Sequence, residues 1–183
     1  MEIALLKAAL IFAAVIVVGI VAVLILAATK PDTFRVTRAI NIKASPEKIF
    51  PLIADFHRWT AWSPYEKKDP AMKRSYGGPS GGVGQTYAWE GDKNVGAGRM
   101  TLTEAAVPSK IQLKLDFVRP FEAHNVVVFS LAPNGDATTV TWDMQGPAPL
   151  LAKVMHVFIN MDKMVGADFE IGLANLKAVA EQQ

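Results

Sequence analysis

The sequence predicts an α+β fold in which an antiparallel sheet packs against a long C-terminal helix, with one membrane-spanning helix ahead of both. Three observations carry this. Residues 8–29 form an uncharged run dominated by Ala, Val, Ile and Leu. Between Thr33 and Gly146 the segments are mostly short, alternate apolar with polar residues, and end in turn residues. From Pro149 to about Glu181 apolar residues recur at helical spacing, which predicts one long helix with a broad apolar face. Consecutive strands with short turns imply a meander, and helices gathered outside it imply a layered α+β domain.

The chain has 183 residues, enough for one domain plus an appendage. Its net charge is +2, with no arginine-rich or basic-aromatic stripe, so the composition argues against a nucleic-acid partner. Cysteine is absent, which excludes disulfides, cysteine metal sites and cysteine nucleophiles.

A helix needs ~20 apolar residues to cross a bilayer, whereas the apolar part of a cleavable signal runs to ~7–15. Residues 1–30 are therefore read as an uncleaved anchor and residues 31–183 as the soluble domain. The alternative is a long signal peptide cut near Ala27-Ala28. Lys7 lies on one side of the span, and Lys30, Arg35, Arg38 and Lys43 lie on the other. The basic count favours a cytoplasmic domain, but a short positive N-terminal tail commonly stays inside too, so the side is left open.

Phe34 to Lys43 alternates with Val36, Arg38, Ile40 and Ile42 on one face, as a strand does. Ser45-Pro46-Glu47 opens a helix, with Ser45 at the N-cap and Pro46 in the first turn. Pro51 keeps that helix short or kinked. Asp55 caps a second short helix on which Trp59 and Trp62 share a face. They form either a hydrophobic plug or the aromatic wall of a ligand cavity. Met72 to Tyr76 reads as an edge strand. The glycine-rich stretch from Gly77 to Gly98 lacks the Gly-Lys-Ser/Thr of a phosphate loop and suits turns and bulges in a curved sheet. Strands follow at Thr86–Glu90, Gly98–Ala106, Ile111–Phe117, Ala123–Leu131 and Thr138–Met144. Gly146, Pro147 and Pro149 then stop the sheet. Gly166 and Gly172 lie within the last helix. They serve either close packing on the sheet or space for a ligand.

The order of these elements and their motifs resembles the START-like, or SRPBCC, superfamily, and within it the polyketide cyclase/dehydrase-like group. The residues that carry the resemblance are Ala44-Ser45-Pro46-Glu47-Lys48-Ile49-Phe50, Asp55 through Trp59, Trp62-Ser63-Pro64 and Asp69-Pro70. Tyr87-Ala88-Trp89-Glu90-Gly91 and Val95-Gly96-Ala97-Gly98-Arg99-Met100 follow. The last are Met161-Asp162-Lys163 to Gly166, Phe169-Glu170, and Gly172-Leu173 to Leu176-Lys177. The likeness runs from about Thr33 to the end. It implies a helix-grip (START/Bet v 1-like) fold, a curved sheet wrapped around the C-terminal helix with an apolar cavity between them. Family members bind lipids, sterols, polyketides and other hydrophobic molecules, and some are cyclases.

Strand parity places Tyr87, Trp89, Met100, Leu102, Leu113, Leu115, Phe129 and Trp142 on the inner face, with Asn125 among them. Trp59, Trp62, Met155, Ile159 and Phe169 complete the predicted cavity lining. Glu104 and Arg38 are further candidates for that face. Glu90 and Arg99 flank the Gly91–Gly98 turn, where they can pair. His57, His124 and His156 have no zinc-like spacing, so no metal and no cofactor is predicted. The expected function is membrane-anchored binding of a hydrophobic or lipid-like small molecule. The alternatives are a cyclase- or dehydratase-type enzyme using Asn125, Glu104, Arg99 and Glu90, and a non-catalytic interaction protein of a membrane complex. A solid core would show the same apolar residues.

Overall fold

A computed structural model describes residues 2–182; the extreme ends of both predicted segments, residues 1 and 183, lie outside the described residues. The chain divides into two compact units. One runs to Thr33 and takes in Ala148–Asn160. The other holds Phe34–Pro147 and continues from Met161.

In the larger unit a seven-stranded sheet has the order β1-β7-β6-β5-β4-β3-β2. Strand β1 (Thr33–Ile42) comes first and sits at one edge. A helix α2 (Pro46–Ala54), a 3-10 turn (Phe56–Ala61) and a single-turn helix α3 (Tyr65–Lys68) follow it. Strands β2 (Lys73–Gly77), β3 (Thr86–Glu90), β4 (Ala97–Ala106), β5 (Lys110–Arg119), β6 (Ala123–Asn134) and β7 (Ala137–Pro147) then form an antiparallel meander. Helix α5 (Met161–Ala180) closes the inner face. The fold is the helix-grip arrangement that the resemblance implied.

Local chemistry explains these elements. Pro46 starts α2 where its missing N–H is not needed, and Ser45 occupies the N-cap without its side chain bonding the first turn. Asp55 accepts a bond from the His57 N–H at 3.0 Å and so opens the 3-10 turn. Thr138 donates to the Ala44 carbonyl at 2.7 Å, pinning β7 beside the end of β1.

The helix α5 carries Phe169, Leu173, Leu176 and Ala180 into the core. Its two glycines serve close packing, not ligand space. A Cβ at Gly172 would meet the Trp142 ring at 2.7 Å and Pro64 at 3.0 Å, while one at Gly166 would meet the Arg38 guanidinium at 2.0 Å. Arg38 lies flat there because Asp162 and Glu170 hold it, through ion pairs of 2.9 and 2.7 Å. Those two carboxylates, first through their hydrogen bonds, also raise its pKa.

The predicted single helix from Pro149 to Glu181 is two helices. Helix α4 (Leu150–Phe158) ends where Ile159 adopts an extended conformation (φ −117, ψ 125), and α5 begins at Met161. The break falls before Asn160, a residue type that favours the N-cap, and at a β-branched residue, which resists helix less than it favours strand. In the smaller unit α4 packs with α1 (Glu2–Ala28).

Candidate functional site

The inner face of the sheet is best described as rows of cross-strand neighbours, which share a face because directly opposed residues do. One row joins Ile111, Phe129 and Trp142. The Trp59 and Trp62 rings pack onto it. Trp142 stacks on Phe169 of α5 at 4.1 Å, and Trp59 lies 4.8 Å from Trp62 and Trp62 6.1 Å from Phe129. The two indoles also donate to α2 carbonyls, Trp59 to Ile53 and Trp62 to Leu52, both at 2.9 Å. Trp59 and Trp62 are thus buried and packed ring on ring, as a hydrophobic plug would be. They close one end of the core and satisfy the last carbonyls of α2, which no helical N–H reaches.

The next row joins Leu102, Leu113, Val127 and Met144, all buried. Beyond it lies Tyr87, Met100, Leu115 and Asn125, in register across β3 to β6. Half-buried Trp89 and Phe117 flank this row, their ring centroids 5.7 Å apart. Trp89 donates to the Val95 carbonyl at 3.0 Å.

Asn125 is the polar member of that row and is 4% exposed. Gly146 faces it so closely that a Cβ there would come within 2.0 Å of the Asn125 Oδ1, with the Phe34 ring beside them. Among the described residues, Asn125 Oδ1 and Trp142 Nε1 are buried polar atoms with no hydrogen-bond partner. One accepts and the other donates. Leaving such a group unpaired costs about 1–3 kcal/mol; Trp142 lies in the tightly packed aromatic end of the core, whereas Asn125 lies in the row lined by Tyr87, Met100 and Leu115.

A polar unit that sequence reasoning missed borders the same row. Glu66, on α3, is buried; it accepts from the Tyr87 hydroxyl at 2.6 Å and from Arg74 at 2.7 Å. Arg74 also donates to the Met72 carbonyl at 2.7 Å. Burial, and then the bond to Glu66, push the Tyr87 phenol well above its ordinary value, so it remains a donor. The sequence segment around Glu66 reads as a polar connection, and only the tertiary approach of Tyr87 and Arg74 reveals the buried carboxylate.

The structure thus separates the fourteen predicted lining residues. Tyr87, Trp89, Met100, Leu115 and Asn125 come together with Phe117. Leu102 and Leu113 form the sheet floor next to them. Trp59, Trp62, Phe129, Trp142 and Phe169 fill the plugged end. Met155 and Ile159 lie in the smaller unit, outside the buried cluster of the sheet, because the helix that was to carry them inward breaks at Ile159.

The predicted polar candidates separate too. Glu104 is not on the inner face: a register shift between Leu102 and Glu104 inverts the parity, so it sits opposite Gln112 and pairs with Lys110 at 2.8 Å. Glu90 pairs with Arg119 at 3.1 Å, not with Arg99. Arg99 is exposed and opposite Ala88 and Asp116. Asp143 alternates with the inner-facing Trp142 and Met144, yet it is buried, because Arg35 and Thr37 of β1 bond to it. Among the described residues no three His, Asp or Glu side chains gather as a metal site. An open groove of about 510 Å³ crosses β2 to β5, with Lys73, Glu90 and Arg119 among its lining residues.

A family model described as polyketide cyclase/dehydrase and lipid transport matches residues 33–181. Among solved structures, truncated norcoclaurine synthase from Thalictrum flavum is similar with a TM-score of 0.62 and 10% identity, over 82% of this chain and 95% of that one. The major latex-like protein 151 of Panax ginseng gives a TM-score of 0.56 at 12% identity, over 82% and 99%. The Aha1 dimer of Colwellia psychrerythraea gives 0.56 at 19%, over 81% and 96%. At these identities the likenesses show the fold alone. A search of curated proteins found no match.

Proposed function

Because the chain belongs to the polyketide cyclase/dehydrase and lipid transport family, matched over residues 33–181, we propose that it binds a hydrophobic or lipid-like small molecule between the sheet and α5, while α1 tethers it to a membrane. The observation that carries this reading is the buried, unpartnered Oδ1 of Asn125 in an otherwise apolar row. A binding site needs apolar walls and a few polar groups that fix orientation. Tyr87, Met100 and Leu115 supply the walls, with Trp89 and Phe117 beside them. The ligand would bring an apolar body, and a hydroxyl or other donor to meet Asn125.

Catalysis is the weaker reading. Of the four predicted polar candidates, only Asn125 is on the inner face, and an amide neither gives nor takes a proton at neutral pH. The tether is supported by the helix Ile3–Ala28, which has 26 residues and a mean hydropathy of 3.3. At 1.5 Å per residue it is about 39 Å long, more than the ~30 Å hydrocarbon core requires.

The test is denaturing extraction and mass spectrometry of the full chain, purified in nanodiscs of a single synthetic phosphatidylcholine. A stoichiometric small molecule other than that lipid, missing from Asn125→Leu, would support the reading. Absence of any such species, together with failure to bind fluorescent fatty-acid and hydroxysterol probes, would sink it.

A further inference from the structure

Helix α4 packs with α1, yet much of its apolar face stays exposed. Leu150, Val154 and Phe158 follow one another at i, i+4, i+8, and Leu151 and Met155 lie alongside them. Leu150, Leu151 and Phe158 are 59%, 60% and 71% exposed, and the helix has no fully buried residue. Its other side carries Lys153 and His156. Helix α5, next in the chain, instead sends its apolar face into a core. An exposed stripe of this kind marks an interaction surface.

What covers it is indicated by where α4 is held. The Ala148 N–H donates to the Asp32 carbonyl at 2.7 Å. Lys153, just over one turn further on, bonds the Asp32 carboxylate at 2.6 Å, and its side chain is only 13% exposed. That bond also holds the Asp32 pKa below its ordinary value. Asp32 is four residues past Ala28, the end of α1. Helix α4 is therefore fastened at the level where α1 ends, and α1 itself exposes Leu24, Ile25 and Leu26 at that end. The exposed apolar surfaces of the two helices belong to one compact unit.

We infer that α4 is an interfacial helix, lying against the lipid bilayer with Leu150, Leu151 and Phe158 at the headgroup–acyl boundary. This rests on the reading of α1 as a membrane anchor. An amphipathic helix binds an interface by burying its apolar face to a depth of ~5–10 Å while its polar side faces away from the acyl chains. The domain is then attached at two places in the sequence: once through the span, and again between β7 and α5. Both flanks of α4 run directly into the larger unit, through β7 and α5.

The absence of cysteine makes a direct test simple. Single cysteines replace Val18, Leu151, Phe158 or Asn134 in the full chain. Each is spin-labelled in phosphatidylcholine–phosphatidylglycerol liposomes, and collision rates with oxygen and with a water-soluble nickel chelate are compared. All four positions are exposed, so the labels disturb little packing. Labels at 18, 151 and 158 are expected to favour oxygen, as lipid-immersed sites do, with 134 favouring the chelate. A lipid signature at 18 with chelate-dominated signals at 151 and 158 overturns the inference and leaves the anchor standing. A chelate-dominated signal at 18 overturns the anchor reading, and the inference with it.

Discussion

Replacing Asn125 by leucine removes a buried amide whose oxygen has no partner, so the substitution separates stability from function. Leucine has the same side-chain branching and heavy-atom count as asparagine, and taking away an unsatisfied buried group can recover about 1–3 kcal/mol. Urea unfolding of Asn125→Leu should show unchanged or higher stability, with weaker retention of a hydroxylated apolar probe. A loss of stability would mean that the amide is not the unpaired group described above. A second residue-scale prediction concerns charge. His124 bonds Asp116 at 2.6 Å, and this raises its pKa above the ordinary value of 6.5. Burial works to raise Asp116, but its bonds to His124 and Lys114 prevail and hold it below 3.8. The histidine's contribution to stability is therefore fully present below about pH 6.5 and fades as pH rises through its higher folded midpoint. The aspartate's contribution fades only as pH falls through its own lowered midpoint. NMR titration should place the His124 midpoint above 6.5, and Asp116→Asn should return it towards that value. The pair is exposed, so its effect on overall stability should be small.

At the scale of elements, the strands were legible because a half-buried strand writes its burial with a period of two. Ile111, Leu113, Leu115 and Phe117 follow that rule, and so does Asn125, which made a polar inner residue visible before any coordinates. Parity failed after Leu102, where an extra residue in β4 turned Glu104 outward. No sequence pattern announces such a bulge. The helix break was illegible for a different reason. Apolar spacing runs unbroken through Phe158 and Ile159, so periodicity alone joins α4 to α5, and Asn160 was the one sign against it. The role of Gly172 was legible only as an alternative, and it is testable. Alanine there gains about 1 kcal/mol of helix propensity, but its Cβ would sit 2.7 Å from the buried Trp142 ring. Overpacking a rigid core typically costs about 1–3 kcal/mol. Gly172→Ala should therefore lower the urea midpoint of the chain despite the better helix former. A rise would mean that the Trp142 and Phe169 stack can slide aside, and that this end of the core is not a fixed plug.

At the scale of the whole molecule, one sheet-and-helix body is combined with a long apolar helix that the family match does not cover, since the match begins at residue 33. The fold therefore says nothing about α1, which is long and apolar enough to cross a membrane. Residues 8–29 carry no charge, and an isolated span of this kind has no way to hide its side chains in water, so it must be removed, covered or inserted. If it were a signal, cleavage near Ala27-Ala28 would leave a chain beginning just before Lys30. Asp32 would then sit almost at a free end, although it holds both the Ala148 N–H and Lys153. A retained span instead gives Asp32 a fixed base and lets those bonds hold α4 in place. Intact-mass analysis of protein extracted from expressing-cell membranes should accordingly find the chain with α1 still attached, and alkaline carbonate should fail to release it. A mass corresponding to a start near residue 29, in a carbonate-soluble fraction, would replace the anchor by a secreted domain. The lipid-facing role of α4 would then have to be given up, while the Asn125 site would remain open to the same ligand tests.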